Sequence, residues 1–367
     1  MLKIHILNVA NGDSIVIEYQ DLNGIRHFGV CDSNLKKITD EVPAIKKLES
    51  LGAKGHLSFV ALTHPHMDHY LGLAQIFDQY TVKTFFSFPL DITENKRLKA
   101  LAALAVKPTK TDNSQISKSA LELVKLIYAG KHRAGEWIDL TGHGQKLFAD
   151  GFAGIDMQAV QPLKSNKAAF FEMLDNGDLS VLSSQKANDV SLAIQIDCYG
   201  RRIILGGDST SKNWRESERQ LNRSGVTNLN VEILKIPHHG SRADNPPKVL
   251  DYVYTNKKTE KIGLISAIGD EHHPDGSVLK YFGENGILPY CTNLARECST
   301  KIVPQTRLDN LVPELSDFIN ESAIRGNIQT APCQGDICVT IFPDGSIDVD
   351  TELNNFCPYR ASTSLGL

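Results

Sequence analysis

The stretch THPHMDHYLGL, from Thr63 to Leu73, places three histidines and an aspartate within six positions. His64 and His66 are two residues apart where the apolar run LSFVALT ends, so both side chains project to the same face and can bind one ion. Asp68 and His69 follow where the chain turns into a predicted helix, and they therefore point toward a neighbouring position. Neutral imidazole suits Zn, Mn or Fe, and a carboxylate can hold a metal-bound water. The motif predicts a metal site that can serve two adjacent ions.

Two later stretches could complete such a site. In IILGGDS an apolar strand ends in two glycines and Asp208, whose carboxylate could bridge two cations; the alternative is an aspartate that caps the helix predicted from Ser211. In LKIPHHGS another apolar strand ends in His238 and His239. The alternative there is a turn with incidental histidines, but adjacent histidines after a proline favour a metal ligand.

The elements that carry these residues are predicted from periodicity. The runs KIHILNV, SIVIEY and HFGVCD predict three antiparallel strands, and ITDEVPAIKKLESLG has the apolar spacing of a helix. The run LSFVALT is typical of a strand buried on both faces. The second half repeats this order with the hairpin VSLAIQIDCYGRRIILGGD, a helix from Ser211, and the strands VEILKIP and KIGLISAIGD. We therefore expect two similar halves packed as one sandwich.

Composition sets limits on the class of protein. The 367 residues, 41% of them hydrophobic, can build a large core without disulfides, and seven scattered cysteines are typical of a reducing compartment. No apolar run approaches the roughly 20 residues that span a bilayer, and the N-terminus lacks the features of a signal peptide. We therefore expect a soluble cytoplasmic protein without a membrane partner. The formal charge of −4 neither indicates nor excludes a nucleic-acid partner.

The residues from about 91 to 185 are predicted less firmly, with a strand at TVKTFFSF just before them, a helix at SQISKSALELVKLIYAG and a strand at GIDMQAVQPL. Six basic residues in this region could form a basic face: Lys107, Lys110, Lys118, Lys125, Lys131 and Arg133. A solvated helix surface is the simpler interpretation. We find no repeat or linker that divides the chain.

Together the motifs resemble the metallo-β-lactamase fold superfamily, and within it the hydrolase domain of ComEC-type DNA-uptake proteins and their free-standing relatives. The resemblance rests on these stretches, in order: LNVANGDSIVI, GVCDSN, THPHMDHYLGL, NDVSLAIQI, IILGGDS, LKIPHHGS and ISAIGDEHHPDGSVLKYF. It implies an α/β fold, a four-layer αββα sandwich, with the metals at one edge between the two sheets. It also implies one domain over residues 1–367, with a substrate-facing insertion at about 91–185 and a C-terminal extension at about 290–367.

The resemblance implies a role for each site residue. His64 and His66 would hold the first metal, Asp68 and His69 the second, Asp208 would bridge both, and His238 would complete the second. Asp32 would fix a histidine tautomer from behind the ligands. His273 would face the substrate, and His239 and Ser241 would contact a phosphate oxygen.

One departure from the superfamily pattern concerns the first metal. Many members supply another histidine where this chain reads KANDVSLAI, with Asn188, an asparagine shared with the ComEC-like branch. The first metal then has fewer strong ligands, which favours a weakly held Mn²⁺ or Mg²⁺ beside or instead of Zn²⁺. We expect two divalent ions, although occupancy by one stays open.

The leading functional hypothesis is a metal-dependent phosphodiesterase that cleaves single-stranded nucleic acid. Asp68 would hold or deprotonate the attacking water and His273 would act as general acid, while Lys235, Arg242 and the lysines from 107 to 131 could line a basic groove. The first alternative is a phosphodiesterase for small molecules such as cyclic nucleotides, and a non-catalytic binding module ranks below both. Hydrolysis of β-lactams or thioesters ranks low because those relatives keep the histidine that Asn188 replaces. The later cysteines lack a CxxC pair, so we interpret them as buried thiols rather than a second zinc site.

Overall fold

A computed structural model of the chain describes residues 1–36, 41–88, 114–140, 142, 144–176, 178, 181, 184–255, 259–267, 273–295, 298, 333–355 and 357–360, without the side chains of 114–120. The strands, in chain order, are β1 (Leu2–Ile6), β2 (Ile15–Gln20), β3 (Arg26–Cys31), β4 (His56–Leu62), β5 (Thr81–Ser87), β6 (Ala134–Asp139), β7 (Gln145–Lys146), β8 (Asp156–Gln161), β9 (Ala193–Cys198), β10 (Arg201–Leu205), β11 (Ile233–Lys235), β12 (Lys261–Ile265), β13 (Ile287–Cys291), β14 (Ile337–Ile341) and β15 (Ile347–Thr351).

The α-helices lie between these strands. They are α1 (Pro43–Ser50), α2 (Met67–Tyr70), α3 (Leu73–Gln79), α4 (Ser114–Arg133), α5 (Lys164–Asp175), α6 (Ser211–Asn222), α7 (Pro247–Val253) and α8 (Gly276–Glu284). Short 3₁₀ segments occur at Gln185–Val190 and Pro237–Gly240. Within the described ranges, no helix has the length and apolarity to span a membrane.

The strands form two mixed sheets. The first has the order β15-β14-β1-β2-β3-β4-β5-β6 and the second the order β13-β12-β11-β10-β9-β8-β7. In each sheet an antiparallel hairpin leads into a run of parallel strands, β3 to β6 in the first and β10 to β13 in the second. The repeated order that the sequence predicts is therefore present as two sheets of similar construction.

Alternate residues of the second sheet enter two different cores. Ile203 and Leu205 of β10 belong to the large core that includes both sheets, whereas Ile204 between them packs with Trp214 of α6 and Phe282 of α8. Because side chains alternate across a strand, the second sheet has one face toward the first sheet and one toward helices. Helix α4 contacts α3, β5 and β6 on the first sheet. The fold is a four-layer αββα sandwich, as expected.

Most predicted elements lie where the periodicity places them. The predicted helix after β3 begins later than its apolar pattern, at Pro43, and residues 37–40 lie outside the described part. The region 91–185 supplies β6 to the first sheet and β7 and β8 to the second, so its described strands belong to the sandwich itself. The C-terminal region supplies β14 and β15, which extend the first sheet beside β1.

The turn between β1 and β2 approaches the HxHxDH motif closely. Gly12 has a φ of +86°, and a Cβ atom there would lie 1.9 Å from the backbone oxygen of Asp68. The next residue, Asp13, donates its backbone N–H to that same oxygen at 3.3 Å. Only glycine permits both the left-handed backbone and this close approach, so Gly12 sets the distance between the first hairpin and the motif.

We predict that Gly12→Ala lowers the free energy of unfolding by about 2–4 kcal/mol, because it adds left-handed strain to a backbone clash. Gly24→Ala is the matched control, since its φ is +79° and its nearest neighbour is a flexible Gln20 side-chain nitrogen 3.7 Å away. That control loses about 1–2 kcal/mol from backbone strain alone. Urea denaturation measures both, and equal losses would show that the contact with Asp68 is unimportant.

Candidate metal centre

The metal-ligating side chains of both sheets meet at one edge of the sandwich. Asp32 follows the end of β3, His64 follows β4, Asp208 follows β10 and His239 follows β11. β3 is parallel to β4 in the first sheet and β10 is parallel to β11 in the second, and the carboxyl ends of parallel strands lie at the same edge of their sheet. The residues that the sequence places at strand ends therefore come together at this edge of the fold.

Asp208 faces two groups of ligand atoms. His64, His66 and Asp208 each place one ligand atom within 4.8 Å of the others, and so do Asp68, His69 and His239. The Oδ2 atom of Asp208 lies 3.7 Å from His64 Nε2, whereas its Oδ1 atom lies 3.5 Å from His69 Nε2 and 3.8 Å from His239 Nε2. Two ligands of one zinc ion, each about 2.1 Å from it, are at most about 4.2 Å apart. The distances therefore fit two adjacent ions, with one oxygen of Asp208 facing each group.

Hydrogen bonds fix the orientation of the imidazoles. Thr63 Oγ1 donates to Asp32 Oδ2 at 2.6 Å, so it can accept the Nδ1–H of His64 at 3.0 Å. His69 Nδ1 lies 2.7 Å from Asp32 Oδ2, and His239 Nδ1 lies 3.0 Å from the backbone oxygen of Ser266. Because these oxygens accept a hydrogen bond from Nδ1–H, the Nε2 lone pair of each ring is left for a metal.

The atoms that would bind metal are buried and have no hydrogen-bond partner. This holds among the described residues for Nε2 of His64, His69 and His239 and for Oδ1 of Asp208. His66 is oriented the other way, since its Nε2 can donate to the backbone oxygen of Ser184 at 3.1 Å and leaves Nδ1 for an ion. Four such buried atoms converging on one space would be costly without a cation, so the residues present fit divalent metal ions.

Burial and mutual proximity shift the pKa values of these groups. Burial and the neighbouring rings of His69 and His66 hold the pKa of His64 well below its ordinary value. Burial also opposes protonation of His69, but the carboxylates of Asp208, Asp32 and Asp68 outweigh it and hold the pKa of His69 well above its ordinary value. The carboxylates thus require a positive charge at this place, which a proton or a divalent ion can supply.

The adjacent histidines at the end of β11 have different surroundings. The backbone φ is 48° at His238 and 53° at His239, so both residues are in the left-handed region. This turn directs His239 into the group with Asp68 and His69, whereas His238 Nδ1 lies 2.6 Å from Asp244 Oδ2. The sequence-based assignment gave the metal to His238 and a phosphate contact to His239. In the structure His239, rather than His238, groups with Asp68 and His69, because the strained turn and Asp244 determine which ring faces inward.

The other predicted residues surround the two groups. Asp32 is fully buried behind His69, as described above. Asn188 is 1% exposed in the 3₁₀ segment before β9, and its Oδ1 has no hydrogen-bond partner in the described part of the chain. Ser241 is buried and its backbone N–H closes the histidine turn on His238 at 2.8 Å. His273 stacks edge to face on His238, with ring centroids 5.4 Å apart, and is therefore outside the two groups.

Asp208 does not cap helix α6, which was the alternative interpretation of its position. The side chain of Thr210 accepts the hydrogen bond from the backbone N–H of Asn213 and so caps the helix. The backbone N–H of Asp208 itself donates to Ser191 Oγ at 2.9 Å. Its carboxylate is therefore left for the histidines.

Sequence reasoning missed the pairing of Lys235 with Asp13. The expectation that Lys235 lines a basic groove is wrong, because its side chain is 0% exposed and its ammonium pairs with the equally buried carboxylate of Asp13. Asp13 also lies 3.9 Å from His69 Nδ1 and 3.8 Å from His239 Nδ1. A single lysine inside the apolar run VEILKIP was the available signal, since lysine is rarely buried without a partner.

The other basic residues of the predicted basic face and groove are described only in part. Lys107, Lys110 and the side chain of Lys118 lie outside the described residues. Lys125 pairs with Glu122 at 2.8 Å and Arg133 pairs with Asp78, as in the solvated helix surface that was the simpler interpretation. Arg242 is exposed three residues after His239. All seven cysteines are free thiols, and Cys333 and Cys338 are not paired.

Comparisons with known proteins found matches among solved structures, and the three below have low sequence identity. No family model and no curated protein matches the chain. Among solved structures, a candidate metallo-β-lactamase from Thermotoga maritima is 16% identical, with a TM-score of 0.34 over 62% of this chain and 85% of that one. Zn²⁺-bound PqqB from Methylobacterium extorquens is 10% identical, with a TM-score of 0.37 over 76% of this chain and 85% of that one. The E377D mutant of CmlA β-hydroxylase is 11% identical, with a TM-score of 0.44 over 80% of this chain and 52% of that one.

We predict that His239→Ala weakens the binding of divalent metal by more than about 100-fold, because it removes a ligand rather than a supporting hydrogen bond. His238→Ala is the matched control and should change metal affinity by less than about tenfold. Metal content by mass spectrometry and competition with a chelator measure both. Loss of an ion in His238→Ala but not in His239→Ala would contradict the arrangement seen in the structure.

Proposed function

We propose that the protein is a metal-dependent phosphodiesterase that cleaves single-stranded nucleic acid. The observation that carries this proposal is the position of Asp208, with one carboxylate oxygen toward each of two groups of metal-ligating atoms. Two ions held a few ångströms apart by one carboxylate are suited to in-line displacement at phosphorus. The motif order, which resembles the hydrolase domain of ComEC-type proteins, supports a nucleic-acid substrate.

The charge of the centre supports a phosphodiester. Four aspartates contact its histidines, namely Asp13, Asp32, Asp68 and Asp208, and Lys235 is the lysine that pairs with one of them. With neutral imidazoles, these groups carry three negative charges, so two divalent ions would leave one positive charge. A phosphodiester linkage carries one negative charge and would neutralise it.

Asp68 is the carboxylate of the centre that reaches solvent. Its side chain is 26% exposed, whereas Asp13, Asp32 and Asp208 have side chains exposed by 3% or less. When bound, divalent ions would lower the pKa of a water and stabilise the charge that develops on the phosphate oxygens. We assign Asp68 to orient that water and accept its proton, because Asp68 lies at the rim where water enters.

We assign His273 as the proton donor to the leaving oxygen. Its half-buried ring packs on His238 beside the histidine turn, outside the two groups of ligand atoms. The exposed guanidinium of Arg242 lies on the same turn and could pair with a neighbouring phosphate of a chain substrate.

We predict that metal-free protein refilled with Mn²⁺ or Zn²⁺ cleaves single-stranded DNA or RNA, and that Asp68→Asn and Asp208→Asn each lower kcat by at least about 100-fold. Asp197→Asn is the matched control. Asp197 lies in β9, is partly exposed, pairs with Arg202 of β10 and takes no part in the centre. The assay compares single-stranded DNA, RNA, duplex DNA and cyclic nucleotides.

The outcomes separate the alternatives. Cleavage of cyclic nucleotides alone would replace the proposal with a small-molecule phosphodiesterase. If the protein bound metal and nucleic acid but did not cleave the nucleic acid, it would be a binding module. Equal activity of the wild type and both variants would contradict the two-metal mechanism.

A further inference from the structure

A buried lysine connects the two sheets behind the metal-ligating atoms. Lys235 ends β11 in the second sheet, and its ammonium pairs with Asp13, which precedes β2 in the first sheet. The same Nζ donates to the backbone oxygen of Gly207 at 3.3 Å, directly before Asp208. Both side chains are enclosed, with 0% exposure for each residue.

Asp13 lies beside the Nδ1 atoms of two of the histidines. Its oxygens lie 3.9 Å from His69 Nδ1 and 3.8 Å from His239 Nδ1, whereas the Nε2 atoms of these rings face Asp208. Asp13, His69 and Asp208 also form a third set whose ligand atoms lie within 4.8 Å of one another. Asp13 is therefore a potential metal ligand, but its carboxylate is already paired with the Lys235 ammonium.

Lys235 is also the fixed cation of the centre. Among the described residues, no other lysine or arginine pairs with Asp13, Asp32, Asp68 or Asp208. Burying a carboxylate next to three others is unfavourable unless a cation is close. An ammonium on a covalent tether supplies that charge whether or not metal ions are bound.

We propose that Lys235 is a permanent internal cation of the metal centre, which neutralises Asp13 and so limits the negative charge available to the exchangeable divalent ions. It stands in for a third metal ion at the inner side of the centre. Metal affinity is then set by the balance between Lys235 and Asp13 as well as by the ligands. This inference concerns ion binding and is independent of the substrate.

A purely structural ion pair would behave differently. If Lys235 and Asp13 only join the two sheets, removing either one disturbs the ligands and weakens metal binding in the same direction. If the pair sets the charge of the centre, the two substitutions act in opposite directions, because one removes a positive charge and the other a negative charge.

The test measures the affinity of the full-length protein for Mn²⁺ and Zn²⁺ by competition with a chelator. We expect Lys235→Met to bind tighter by about tenfold or more and Asp13→Asn to bind more weakly by about tenfold or more, because each changes the unit charge beside a divalent ion in a buried site. The double variant, which removes both charges, should return to within about threefold of the wild type. The exposed pair Lys146 and Asp156 gives matched controls, Lys146→Met and Asp156→Asn, which should leave affinity unchanged.

The proposal requires that the two single substitutions change the metal affinity in opposite directions. Weaker binding in both single variants, or no change in either, would overturn the proposal and leave a structural pair. If metal-free Lys235→Met does not fold, the rate at which a chelator removes ions from its metal-loaded form replaces the affinity, and slower release than in the wild type is expected. The double variant buries no lone charge, so it keeps the comparison available.

Discussion

The arrangement of the centre depends on the contacts of the Asp208 carboxylate with the histidines on both of its sides. It is 2% exposed, it follows a strand of the second sheet, and its two oxygens face His64 on one side and His69 and His239 on the other. A buried carboxylate requires compensating positive charge, which a proton on His69 or a bound divalent ion can supply. The ligand atoms around Asp208 are suited to divalent ions, and Lys235 lies behind them. The two sheets must therefore pack in one relative position, because each contributes ligands to the same space.

The backbone around the centre is held in conformations that cost free energy. Asp32, His238 and His239 are non-glycine residues with φ between 48° and 55°, each unfavourable by about 1–3 kcal/mol. Hydrogen bonds hold these turns: His238 donates to Gly207 at 3.0 Å, and Asn245 Nδ2 donates to the backbone oxygens of Pro237 and Ser241 at 2.8 Å each. Such strain is stored where side chains must be directed precisely enough to bind a ligand. In this protein it directs His239 inward and leaves His238 with Asp244.

Much of the fold follows from local sequence. Strand periodicity, the Tyr199–Gly200 hairpin and the helix after Thr210 are encoded by neighbouring residues, and the structure has them at the predicted places. The role of the region after residue 113 was harder to predict, because its strands pair with partners far away in the chain. The sequence shows that β6 and β8 can be strands but not that β6 extends the first sheet and β8 the second.

The sequence by itself determined which side chains can bind metal and that they stand at strand ends, because residue type and period are local properties. Only the tertiary structure decided which of two adjacent histidines enters the centre, since a left-handed turn reverses the direction of neighbouring side chains. It also decided that Lys235 is an internal cation rather than part of a surface groove. Its partner Asp13 is 222 residues away in the chain, and a charge pair of that separation exists only when the two sheets have come together.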